Sequence, residues 1–120
     1  MKEKFSTIKK KGTGEIIISK CRVASSFFLR LKGLLGNKSI SPNEGMLFPK
    51  CNSIHTLFMR FPIDCIFLND NNAVVKICEN LSPWKVCVEP KASKVLEMAA
   101  GTITRQNLRK DEVLEIGPLT

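Results

Sequence analysis

Apolar residues in this chain come in short runs, and each run stops at a residue that bends the backbone. Ile16-Ile17-Ile18 follows Gly12-Thr13-Gly14, and Met46-Leu47-Phe48 stops at Pro49. The run at 63–68 ends in Asn69-Asp70-Asn71-Asn72, and Val86-Cys87-Val88 ends before Pro90. Short apolar and β-branched runs between Gly, Pro and Asn favour strands over helices. Asn and Asp tolerate the left-handed backbone of a close turn, so 63–68 and 73–79 read as a hairpin. Further strands are expected over 15–19, 46–48, 53–59, 86–88 and 113–116.

Two segments read as helices. In 25–36, Phe27, Phe28, Leu31, Leu34 and Leu35 share one helical face, with a serine before the run and Gly36 to end it. Residues 91–100 read as a second short helix, ended by Gly101. Helices do not alternate regularly with strands, which argues against a parallel α/β architecture. The expected fold is mainly β (α+β): a compact barrel-like or sandwich-like domain of about seven short strands with two short helices.

The 120 residues suffice for one domain, with 43% hydrophobic and 25% charged residues as in ordinary globular chains. The net charge is +8, and residues 1–11 carry five lysines against one glutamate. Residues 1–14 are expected as a basic N-terminal tail and 15–120 as the β-rich domain. A basic tail suits a phosphate backbone or an acidic surface, or is a solvated terminus. No apolar stretch has the length of an export signal or a membrane span, so a soluble, cytoplasmic protein is expected. The five cysteines are Cys21, Cys51, Cys65, Cys78 and Cys87. They form no Cys-x-x-Cys pair, and read as reduced, buried thiols.

The segment 54–68 sets the only histidine, His55, with Thr56, Arg60 and Asp64 in a strongly apolar stretch. Buried charge is costly unless paired. Arg60 and Asp64 either form an internal ion pair across Phe61-Pro62 or face one ligand, since a guanidinium suits carboxylates and phosphates. His55 reads as a general base or a metal ligand, or as a half-buried histidine bonded to backbone carbonyls. Cys51 stands four residues before His55, about 13 Å away along a regular strand, so the two meet only if the chain turns. Glu97 is expected to contact Arg105 or a backbone donor. Trp84 after Pro83 reads as a ligand platform or a core-edge aromatic.

Several motifs follow one another in a characteristic order. Glu44-Gly45-Met46-Leu47-Phe48 precedes Cys51-Asn52-Ser53-Ile54-His55-Thr56-Leu57-Phe58-Met59-Arg60-Phe61-Pro62-Ile63-Asp64-Cys65. Val95-Leu96-Glu97-Met98-Ala99-Ala100-Gly101-Thr102 and Lys110-Asp111-Glu112-Val113 come later. From about Gly33 to Ile116 this resembles the domain of unknown function 192 family, in its histidine-threonine branch. The chain departs from that pattern at Ala99, where proline is usual, and at Lys110, where glycine is usual. The resemblance implies a compact, barrel-like β domain with two short helices and no established reaction. It also implies a link to export, secretion or pilus systems.

The expected function is a non-catalytic binding or accessory module with a polar pocket around His55, Thr56, Arg60 and Asp64. Its partner is a protein or a small polar or anionic ligand. The alternative is a small hydrolase-like enzyme with His55 as base and Asp64 or Cys51 assisting. A second alternative is nucleic-acid or acidic-surface binding through the N-terminal lysines. There is no glycine-rich phosphate loop, matched carboxylate pair or histidine-rich box, so no cofactor and no metal is expected.

Overall fold

The computed structural model describes residues 4–24 and 39–118. In chain order these form β1 (Lys4–Lys10), β2 (Ile16–Val23), β3 (Glu44–Pro49), β4 (Ser53–His55) and β5 (Ile63–Leu68). There follow β6 (Val74–Leu81), β7 (Val86–Val88), β8 (Lys94–Ala99), the short helix α1 (Thr102–Arg105) and β9 (Leu114–Ile116). Seven strands make one sheet in the order β6-β5-β8-β3-β2-β1-β9, and β4 pairs with β7 in a separate ribbon. Every pairing is antiparallel except that of β2 with β3.

Strand twist accumulates across the sheet and curls it into a half-barrel. The curl brings the two edges together at one end. Ala73 bridges Val113, just before β6 and β9 begin. Val74 N–H donates to Glu112 O and Leu114 N–H to Asn72 O, each at 2.9 Å. Paired ends leave less open edge for other chains to add to.

The sheet buries apolar residues on both faces. Ile8, Ile18, Leu47, Ile66, Leu96 and Met98 pack on one face, with Ile103 of α1 and Leu108. Met46, Phe48, Ile63, Cys65, Phe67 and Val95 pack on the other face, covered by Ile54, Met59 and Cys87. The ribbon of β4 and β7 is thus the lid of the second core. All six residues of β5 are buried, which explains why its sequence is apolar on both faces apart from Asp64. Gly45 is needed in β3, because a Cβ there would meet Glu97 O at 3.0 Å.

Four expectations differ from this architecture. The segment expected as a helix over 91–100 contains β8, hydrogen bonded between β3 and β5. Leu96, Glu97, Met98 and Ala99 favour helix locally, but neighbouring strands on both sides override that preference. Residues 4–10, expected within a tail, form β1 between β2 and β9. Ser6, Ile8 and Lys10 point inward there, an alternation masked by the surrounding lysines. The strand expected over 53–59 stops at His55, because residues 56–59 form a turn closed by Met59 N–H on Thr56 O, with Phe58 left-handed inside it. The described residues hold nine strands rather than about seven, and one helix, α1. The helix expected over 25–36 lies outside the described residues.

Candidate functional site

The stretch after β4 leaves the ribbon and turns back toward β5, while the loop between β6 and β7 comes up beside it. Thr56 joins the two and is fully buried. Its N–H donates to Lys85 O at 2.8 Å, and its carbonyl accepts from Met59 N–H at 3.1 Å and Trp84 N–H at 3.0 Å. Its hydroxyl donates to Ser82 O at 2.7 Å and accepts from Lys85 N–H at 2.9 Å. Every polar atom of Thr56 is therefore engaged, as burial requires.

Asp64 anchors the other end of the same loop. Its carboxylate is 1% exposed. Oδ1 accepts from Asn80 N–H at 2.7 Å, and Oδ2 accepts from Gly101 N–H at 3.0 Å and Ile103 N–H at 2.9 Å. Charge-assisted bonds of this kind are the strong ones. They also hold the turn into α1, where Gly101 has φ 94° and serves as N-cap.

Between the two anchors the loop presents Trp84. It is 60% exposed, and Phe58 beside it is 68% exposed. Their ring centroids lie 4.7 Å apart with planes at 61°, an edge-to-face pair. Both residues have left-handed backbone, φ 66° for Phe58 and 68° for Trp84. Bulky side chains rarely take that conformation, which costs about 1–2 kcal/mol per residue. Strain of this kind persists only where the surroundings impose it, and it concentrates at working surfaces. Val86 and Val88 extend the apolar surface along β7, both exposed. His55, the partner of Val86 across the ribbon, is exposed, as are Arg60 and Lys85.

The four residues expected to line one polar pocket are thus divided. Thr56 and Asp64 are sealed inside and hold backbone. His55, paired with Val86 across the ribbon, and Arg60, two residues after Phe58, are at the surface. No ion pair joins Arg60 to Asp64, whose oxygens are taken by backbone N–H groups. Cys51 Sγ donates to Ser53 O at 3.0 Å, and no hydrogen bond links it to His55 or Asp64. His55 is exposed, Asp64 is sealed inside, and no hydrogen bond joins the two. Phe58 was expected on a strand face, and its pairing with Trp84 joins residues far apart in sequence. The signal within reach was Pro83-Trp84 in a turn, with Phe58 two residues before Arg60.

Glu97 is buried in β8 between Met46 and Cys65 of the neighbouring strands. Burial pushes its carboxyl up to about 8. Arg105 Nη2 donates to Thr102 Oγ1 instead of reaching Glu97. Burial also pushes the Cys21 thiol up to about 12. Among the described residues no group of three His, Cys, Asp or Glu side chains is arranged to hold a metal ion. Among them, too, no helix is long and apolar enough to cross a membrane.

Comparison with known proteins places this geometry in a lineage. The model of the DUF192 family, described as Uncharacterized ACR, matches residues 7–116. A UPF0127 protein of Pyrococcus furiosus is 34% identical over 109 residues, covering 85% of this chain and 90% of the relative. A solved structure from Sinorhizobium meliloti 1021, a provisionally named transcription regulator, superposes with a TM-score of 0.79 at 23% identity. It covers 95% of this chain and 92% of that one. A protein of unknown function from Novosphingobium aromaticivorans gives a TM-score of 0.77 at 20% identity, covering 92% and 83%. These two likenesses concern the fold alone. With nearly its whole length matched by the family model, the chain belongs to the DUF192 family of uncharacterised proteins, whose curated relatives carry the name UPF0127.

Proposed function

We propose that this protein is a non-catalytic binding module. Its working face is the ledge of Phe58 and Trp84, flanked by His55, Arg60 and Lys85. Thr56 and Asp64 act as positioning residues, holding the loop that carries Trp84. The observation that supports this reading is the exposed aromatic pair in two left-handed conformations, with Trp84 N–H bonded to buried Thr56 and Phe58 inside the turn that Met59 N–H closes on the same carbonyl. A protein gains nothing in stability from presenting two strained aromatic rings to water. A partner that covers them recovers their burial, and Trp is the commonest interface anchor.

The flanking charge indicates the partner's chemistry. Exposed His55, Arg60 and Lys85 lie within three residues of Phe58 or Trp84 along the chain, and the net charge is +8. The occupant is an acidic peptide segment with one apolar side chain to lay on the ledge. A single-stranded nucleic acid fits less well, since successive bases want parallel platforms and this pair meets edge-on.

Trp84 is the only tryptophan and there is no tyrosine, so intrinsic fluorescence reports on the ledge itself. A short synthetic peptide of glutamates around one phenylalanine should shift Trp84 emission in a saturable, salt-sensitive way. The same peptide with serines for glutamates should bind at least about tenfold more weakly. An equal response to oligothymidylate would favour nucleic acid instead. No response to either anion would overturn the reading.

A further inference from the structure

The second core holds three cysteines that the binding reading does not use. Cys65 of β5 and Cys78 of β6 are directly paired across the sheet. Cys87 of β7 reaches Cys78 from the ribbon, with the two Sγ atoms 2.7 Å apart. A disulfide bond is about 2.05 Å long, so a small side-chain rotation closes this contact into a bond. Cys87 and Cys78 are both partly exposed, whereas Cys65 is buried. Nearby, Lys76 Nζ donates to Val88 O at 3.0 Å and docks β7 against β6.

We propose that Cys78 and Cys87 form a reversible disulfide that clamps the loop carrying Trp84. The ring it closes runs from 78 to 87. It encloses Asn80, anchored on Asp64, and Trp84 and Lys85, anchored on Thr56. With the thiols reduced, hydrogen bonds and packing hold that loop to β4. The disulfide adds a covalent tie between the seven-stranded sheet and the ribbon. This regulatory role rests on the ledge being a binding face, while the disulfide itself does not.

The oxidant is a low-molecular-weight disulfide such as oxidised glutathione. Cys87 loses its proton and its sulfur attacks one glutathione sulfur, releasing one glutathione thiolate. Cys78 then loses its proton and attacks the Cys87 sulfur, releasing the second glutathione. One Sγ–Sγ bond forms, one glutathione disulfide is consumed, and two electrons and two protons pass to two glutathione thiols. Burial pushes the Cys78 thiol up to about 11, which fits its place as the second thiol to react rather than the first.

The test incubates the full reduced chain with oxidised and reduced glutathione, alkylates the remaining thiols and maps them by mass spectrometry. The five thiols should fall to three, with peptides containing Cys78 and Cys87 linked. Cys65→Ser should keep the link and Cys87→Ser should lose it. Amide exchange in 79–86 should slow by about tenfold or more on oxidation. A Cys65–Cys78 link, glutathione adducts alone, or five thiols still free would overturn the proposal. A Cys78–Cys87 link with unchanged exchange would overturn the clamp. These readouts need no ligand, so a failed peptide titration leaves them standing. If peptide binds equally to both redox forms, the ledge stands and its regulation does not.

Discussion

The backbone N–H of Trp84 donates to the carbonyl oxygen of Thr56 at 3.0 Å. That bond fixes an exposed aromatic ring of one loop against the buried hub of another. Phe58 lies two residues beyond Thr56, so the same hub sets both rings. The ledge therefore rests on hydrogen bonds to Thr56 beneath it and on the contact of the two rings.

Thr56→Val keeps the side-chain shape and removes the hydroxyl. Ser82 O and Lys85 N–H then lose their partner in a buried place. The expected cost is about 1–3 kcal/mol in urea unfolding, with Trp84 emission shifted to the red. An unchanged midpoint and spectrum would show that the hub does not position the loop.

Asp64→Asn should be more damaging than Arg60→Ala. The asparagine turns an NH₂ toward N–H groups that now meet a carboxylate oxygen. The expected loss is about 2–4 kcal/mol, against about 0.5 kcal/mol or less for the exposed Arg60. Equal losses would point back to an Arg60–Asp64 pair.

Glu97 makes stability depend on pH. Its carboxyl is raised to about 8 when folded, so the native state holds a proton that the unfolded chain releases near 4.5. Its contribution is complete below 4.5 and is lost as pH rises through 8. Wild-type stability should fall across that window by about 3–5 kcal/mol more than that of Glu97→Gln. Parallel pH profiles for the two proteins would contradict this.

Much of the fold was legible because local signals agreed with the tertiary outcome. Asn69 to Asn72 marked the hairpin of β5 and β6, and the run 63–68, apolar but for Asp64, marked a buried strand. β8 was not legible, since Leu96, Glu97 and Met98 favour helix until β3 and β5 flank them. β1 was hidden by its lysines, although Lys10 lies within 4 Å of both Glu15 and Glu112 in the fold. At the site, the oddity of Thr56, Arg60 and Asp64 in an apolar stretch was visible. Their division into buried anchors and surface flank was not, because it depends on Asn80, Ser82 and Lys85, contacts made across the fold.

As proposed, the Phe58–Trp84 ledge serves binding rather than stability. Phe58→Gly tests it most directly, because glycine takes the left-handed backbone without strain. The ring contact it removes is worth about 0.5–1.5 kcal/mol, comparable to the strain relieved. The measurement is the unfolding free energy of this variant beside its acidic-peptide titration, both read from Trp84 fluorescence. The account predicts stability within about 1 kcal/mol of wild type and affinity lower by about tenfold or more. A loss of several kcal/mol with unchanged affinity would contradict it.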